Sequence, residues 1–237
     1  ISKAKESYNR GIEYFKKGSY QEAIGEYDQS VQLFPRFSNA YFNRGVACLM
    51  LEKYRKAILD FSIVIDSNAN KAPAYFKRAE AYTLLGEYAK SVLDYRDVIK
   101  LQPNNEKAFY NLGDALFLQG KYEEAMKEFT KAISIDKSYT YAYNDRGSCY
   151  KRLEQYNDAL IDYNRAIAIS PQMAFIYNNI GSTKKNMEDL PGAISAYNDA
   201  ITAEPDFYLA YNNRGTIYFQ QGKLEEALND FEQAIKI

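Results

Sequence analysis

A small residue returns at every thirty-fourth position of this chain: Gly11, Gly45, Ala79, Gly113, Gly147, Gly181 and Gly215. No insertion breaks the step. A period of this length, held over 237 residues, leaves few architectures open. A short supersecondary unit cannot bury its own apolar face, so the copies must stack on their neighbours. The windows run approximately over 4–37, 38–71, 72–105, 106–139, 140–173, 174–207 and 208–237, the last incomplete. They are read as a single array over 1–237.

Inside each window, apolar residues recur at helical spacing in two blocks. A polar or glycine-bearing turn separates the blocks, as at Lys17-Gly18-Ser19, Leu51-Glu52-Lys53, Gly86-Glu87 and Glu188-Asp189. Each repeat is therefore expected to be a helical hairpin, and the chain all-α. Glycine inside a helix costs about 1 kcal/mol against alanine. Keeping it at the repeated site implies a close approach that a larger side chain would block. A second small site, Ala23, Ala57, Ser91, Ala125, Ala159, Ala193 and Ala227, marks the facing helix. Large residues such as Phe61, Tyr95, Phe129, Tyr163, Tyr197 and Phe231 fill the gaps. Pro35, Pro103, Pro171 and Pro205 are placed to close second helices. Ser38, Asn105 and Asp206 are expected as N-caps, and Pro73 and Pro191 fall near helix starts.

The order aromatic, Gly, Tyr, then Ala, aromatic and Ala resembles the tetratricopeptide repeat. Tyr211, Gly215, Tyr218, Ala227, Phe231 and Ala234 carry it, as do Phe109, Gly113, Ala125, Phe129 and Ala132. The resemblance covers essentially the whole chain. It implies a right-handed superhelical solenoid of antiparallel helix pairs. Departures are Ala79 for glycine, Lys184 for an aromatic, and Ala69 and Lys137 for proline.

A charge pattern runs through the same frame. Arg10, Arg44, Arg78, Arg146 and Arg214 each precede the small residue, with Glu26, Asp60, Asp94, Asp162 and Asp230 sixteen positions later. Repeat six has Ile180 and Ala196 there, so both charges vanish together, while repeat four has Leu112 with Glu128. An arginine–carboxylate bridge between the two helices of a hairpin is predicted.

The resemblance further implies that first helices line a concave groove. Two residues before the small site stand Asn9, Asn43, Lys77, Asn111, Asp145, Asn179 and Asn213. An asparagine amide offers a donor and an acceptor, matching a peptide unit. The ladder is therefore a candidate for gripping a peptide backbone; the alternative is a polar residue that merely avoids crowding on a concave wall. Flanking positions are apolar and aromatic early in the chain, including Phe42, Val46, Met50 and Tyr110, and polar later, including Asn144 and Ser182. Groove positions carry Lys5, Lys16, Lys77, Lys107, Lys151, Arg152 and Lys185 against Glu80, Asp114 and Asp145, a positive excess in a chain of net charge −1. A ligand with an apolar segment near repeats one to four and an acidic or polar segment near five and six is expected, unless the lysines only solvate the wall. The carboxylate clamp known in the family would need five residues. Here Asn43 and Lys77 fit, while Tyr8, Ile12 and Pro73 occupy the other places, so chaperone-tail capture is not indicated.

The function classes narrow accordingly. Histidine is absent, and no phosphate loop, metal-ligand cluster or nucleophile–base pair is visible, so no catalytic residue, cofactor or metal is expected. Balanced charge argues against nucleic acid, and no apolar run is long enough to span a bilayer. Cys48 and Cys149 read as buried hydrophobes and fit a reducing, cytoplasmic compartment. A chain that opens at Ile1 and closes at Ile237 without a polar capping helix is expected to be a processed form or a piece of something longer. Its exposed terminal repeats leave self-association open. The leading expectation is a non-catalytic scaffold that binds a peptide or protein segment in the groove. The alternative is the substrate-recruiting repeat region of a larger enzyme, such as a glycosyltransferase.

Overall fold

A computed structural model describes residues 1–68 and 71–237. Ala69, one of the departures from proline, lies outside the described residues. The described residues form fourteen α-helices in two compact units, Ile1–Gly120 and Lys121–Ile237. The first unit holds α1 (Ser2–Lys16), α2 (Tyr20–Leu33), α3 (Ser38–Met50), α4 (Tyr54–Asp66), α5 (Lys71–Leu84), α6 (Tyr88–Leu101) and α7 (Glu106–Leu118). The second holds α8 (Tyr122–Ile135), α9 (Thr140–Arg152), α10 (Tyr156–Ile169), α11 (Ala174–Asn186), α12 (Leu190–Ala203), α13 (Tyr208–Gln220) and α14 (Leu224–Lys236). Each window of the repeat holds one pair of helices. None of them is long and apolar enough to cross a membrane.

The turn inside each pair is short because one residue adopts the left-handed conformation. Gly18, Gly86, Gly120 and Gly222 do so with φ of 74–77°. Glu52, Glu154 and Glu188 take the same place at φ of 56–64°, a conformation that costs a residue with a Cβ.

The recurrent glycine of the first helix faces an aromatic ring from the second. A Cβ on Gly11 would stand 2.6 Å from the Tyr27 ring, on Gly45 2.8 Å from Phe61, and on Gly181 2.5 Å from Tyr197. Those rings are among the largest side chains that are fully buried, so they have nowhere to go. Ala23, Ala57 and Ala193 are buried beside them. At Gly11, Gly45, Gly147 and Gly181 a buried ring is thus seated in a notch left by glycine, whereas repeat three carries the buried Ala79 at that site.

The prolines fall where expected, two residues beyond α2, α6, α10 and α12, and Pro191 sits in the first turn of α12. The capping residues are partly different. Asn105 caps α7, accepting from the Ala108 N–H at 2.9 Å. Ser38 is instead the first residue of α3, and Asp206 lies one residue outside the cap of α13. Phe37 and Phe207 hold those caps. Phe37 packs on Tyr8 at 4.8 Å and Phe207 joins a buried cluster, so apolar anchoring sets the entry of these helices. Asp189 supplies a cap to α12 through the Gly192 N–H.

Candidate functional site

In the first unit, α1, α3, α5 and α7 carry the positions expected to face a ligand. Two clefts open among them. One, of about 460 Å3, is bounded by Ile12, Phe15 and Lys16 of α1, Tyr27 of α2, Phe42, Asn43 and Val46 of α3, and Lys77 of α5. The next, of about 410 Å3, is bounded by Val46, Leu49, Met50, Lys77, Glu80, Thr83, Leu84, Tyr95 and Asn111. Val46 and Lys77 belong to both, so the clefts adjoin. The first has two lysines on its rim and no carboxylate. Lys77 Nζ donates to Glu80 Oε2 at 2.8 Å, which places the one lining acid on the side of the second cleft. Phe42 serves two purposes, since its ring also packs edge-on against buried Phe61 at 5.6 Å. Tyr110 is half-buried, and Asn9 and Lys107 are exposed.

The asparagine ladder is not a row of free amides. Asn43 Nδ2 donates to the Tyr8 hydroxyl at 3.0 Å, across the seam to the preceding repeat. In the second unit, Asn179 donates to Asn144 Oδ1 at 2.9 Å and Asn213 to Asn178 Oδ1 at 2.8 Å. All three reach thirty-five residues back. Where that position is Phe42 or Phe76 the bond cannot form. Lys77 then turns to Glu80, and Asn111 to its own helix at the Lys107 carbonyl. Each bonded amide keeps its carbonyl oxygen, but one donor is committed to holding repeats together. Sequence spacing missed this, although Tyr8, Asn144 and Asn178, each one place before a ladder position, were visible.

Polar contacts dominate α9, α11 and α13. Asn144 Nδ2 donates to Asp145 Oδ1 at 2.8 Å, and Lys151 Nζ to Ser182 Oγ at 2.6 Å. Burial, and secondarily the charge of Arg152, lowers the pKa of Lys151. Lys151 is therefore a tethered wall residue.

The five predicted arginine bridges are present. Arg44 holds Asp60, Arg78 holds Asp94, Arg146 holds Asp162 and Arg214 holds Asp230, each through Nε and Nη2, with Arg10 and Glu26 more exposed. Four of these guanidinium groups also reach sixteen residues back with Nη1, to Asp28, Ser62, Thr130 and Asn198 on the preceding second helix. Each of the four lies over a tyrosine three residues earlier, 5.0 Å for Arg44 over Tyr41 and 5.6 Å for Arg214 over Tyr211. The arginine is thus a clip between repeats as well as within one. No group of three or more His, Cys, Asp or Glu side chains among the described residues is placed to hold a metal.

Comparison with known proteins follows the same frame. Family models described as tetratricopeptide repeat match residues 140–173, 176–207 and 208–237. One described as TPR repeat matches 11–52, 79–120 and 113–154. No curated protein matches. Among solved structures, a tetratricopeptide repeat protein from Parabacteroides merdae is 20% identical, covers 100% of this chain and 93% of its own, and superposes with a TM-score of 0.84. MamA is 26% identical over 67% of this chain and 92% of its own, with a TM-score of 0.59. YrrB, described as a TPR protein with an unusual peptide-binding site, is 19% identical over 78% of this chain and 95% of its own, with a TM-score of 0.62.

Proposed function

The chain belongs to the tetratricopeptide repeat family, and from that premise we propose that it is a non-catalytic scaffold whose first helices hold a peptide or protein segment. The observation that carries this reading is the pair of adjoining apolar clefts between α1 and α7, lined, apart from Tyr27 and Tyr95, by positions that the family resemblance assigns to the groove. Clefts of this size suit one large apolar side chain each, and apolar walls with a few placed polar groups are the usual form of a binding site. Lys16 and Lys77 at the rim of the first cleft favour a segment with a carboxylate near its apolar anchor. The peptide-binding site named for YrrB is a property of that protein; the likeness is one of fold, so the weight rests on the clefts.

The ladder contributes less backbone grip than its spacing suggests, because Asn43, Asn179 and Asn213 already commit a donor between repeats. Of the bonded members, Asn111 can be released at least cost, since its bond is to its own helix. Selection from a random peptide library tests the reading. Peptides with two apolar side chains and an acidic residue should be enriched. Val46→Arg should abolish their binding and Lys77→Glu should weaken it, while both variants keep wild-type helicity and melting. A library that yields no peptide binding above scrambled controls would sink the proposal.

A further inference from the structure

The second unit has a cleft of about 230 Å3 bounded by α10, α11 and α12. Asn164 of α10, Tyr177, Ile180 and Lys184 of α11, and Ala196 and Asp199 of α12 define it. This is the register in which neighbouring repeats keep their arginine clip. In the pair that follows, Arg214 lies over Tyr211, donates to Asn198 and is paired with Asp230. Subtracting one repeat gives Tyr177, Asn164 and Ala196, with Ile180 in the arginine's own place. The ring and the amide of the cradle are retained; the arginine and its acid are replaced by a buried apolar floor, Ile180 at 7% and Ala196 at 4% exposure. Asp199 stands on α12 nearly one turn beyond Ala196, on the same cleft. Among the described residues, the side chains of Asn164, Lys184 and Asp199 have no hydrogen-bond or ion-pair partner.

We propose that this cleft receives an arginine side chain supplied in trans by a protein partner. The floor of Ile180 and Ala196 covers the methylene stem. The Tyr177 face takes the guanidinium plane, as the equivalent tyrosines do in four other repeats. Asn164 Oδ1 accepts one N–H, and the Asp199 carboxylate replaces the missing acid. Lys184 stands where Tyr150 and Tyr218 stand in neighbouring repeats, and its like charge discriminates against a second cation beside the first. The inference does not depend on the groove proposal, since no residue is shared.

An NMR titration with acetyl-Gly-Arg-Gly-amide tests it, using the lysine, citrulline and glutamate peptides as controls. The arginine peptide should shift the Asn164 side-chain amide and bind several-fold tighter than lysine or citrulline. Asp199→Asn should weaken it roughly tenfold, the loss of one charge-assisted contact. Lys184→Tyr should tighten it. Ile180→Arg with Ala196→Asp should restore the internal clip, fill the cleft and abolish binding while the melting temperature holds or rises. Equal binding of lysine, an unaffected Asp199→Asn, preference for glutamate, or no shift at about 10 mM peptide would each overturn the proposal.

Discussion

Arg44 illustrates what a single side chain contributes. Its side chain is 12% exposed, and that of its partner Asp60 is 2% exposed. Removing the cation from such a pair leaves a buried charge, so Arg44→Met should cost about 3–5 kcal/mol in urea unfolding at neutral pH. Burial already pushes the Asp60 carboxyl above its ordinary value, against the pull of Arg44. Without Arg44 it rises further. Between the unfolded value of about 3.9 and that raised value, the native state binds more protons than the unfolded state, so stability falls as pH rises. The deficit of the variant should therefore shrink as pH is lowered toward about 4.5. Arg10→Met, in an exposed pair, should move the midpoint far less. Cysteine is a second residue-scale case. Burial pushes the Cys48 thiol up to about 11 and the Cys149 thiol up to about 12. Iodoacetamide at about pH 8 should modify neither in the native protein and both in denaturant; rapid native labelling would contradict their burial. The sequence revealed the arginine–acid partners because sixteen residues span one hairpin. It did not reveal the third nitrogen's partner, which depends on how repeats rotate against each other.

Helices and turns carry their own tests. Gly181→Ala would place a methyl group 2.5 Å from the ring of Tyr197, which is 1% exposed. It should cost about 1–3 kcal/mol. Gly25→Ala lies inside α2 with nothing within 4 Å, and should stabilise by about 0.5–1 kcal/mol. Equal effects of the two in thermal melts would refute the ring-in-notch account. At the hairpin turns, Glu52, Glu154 and Glu188 bear the left-handed strain that glycine bears elsewhere. Replacing all three by glycine should raise stability by about 1 kcal/mol or more in total. The helix pairs and proline stops were legible because they follow local rules of spacing and φ. The caps at α3 and α13 were not, because packing of the half-buried Phe37 and Phe207 decided them.

Across the molecule, connectivity within each unit is short-ranged. The substantial contacts join helices adjacent or next but one in the chain. Stability should then be a sum of local terms, with openings confined to neighbours. In the first unit, Gly45→Leu is expected to speed amide exchange in α1–α5 by orders of magnitude and to affect α7 much less. A uniform increase from α1 to α7 would show that the unit opens as one body.

The sequence alone determined the period, the helix pairs, the glycine notches and the hairpin bridges, because all of these lie within one repeat and obey the helical period. Tertiary structure decided what crosses a seam. It joined Asn43 to Tyr8 and Arg44 to Asp28, grouped the apolar positions of α1–α7 into two clefts, and left an arginine-sized cradle beside Ile180. Those outcomes depend on the rotation between successive helix pairs and on which of several polar partners wins a donor. Packing of whole side chains sets both.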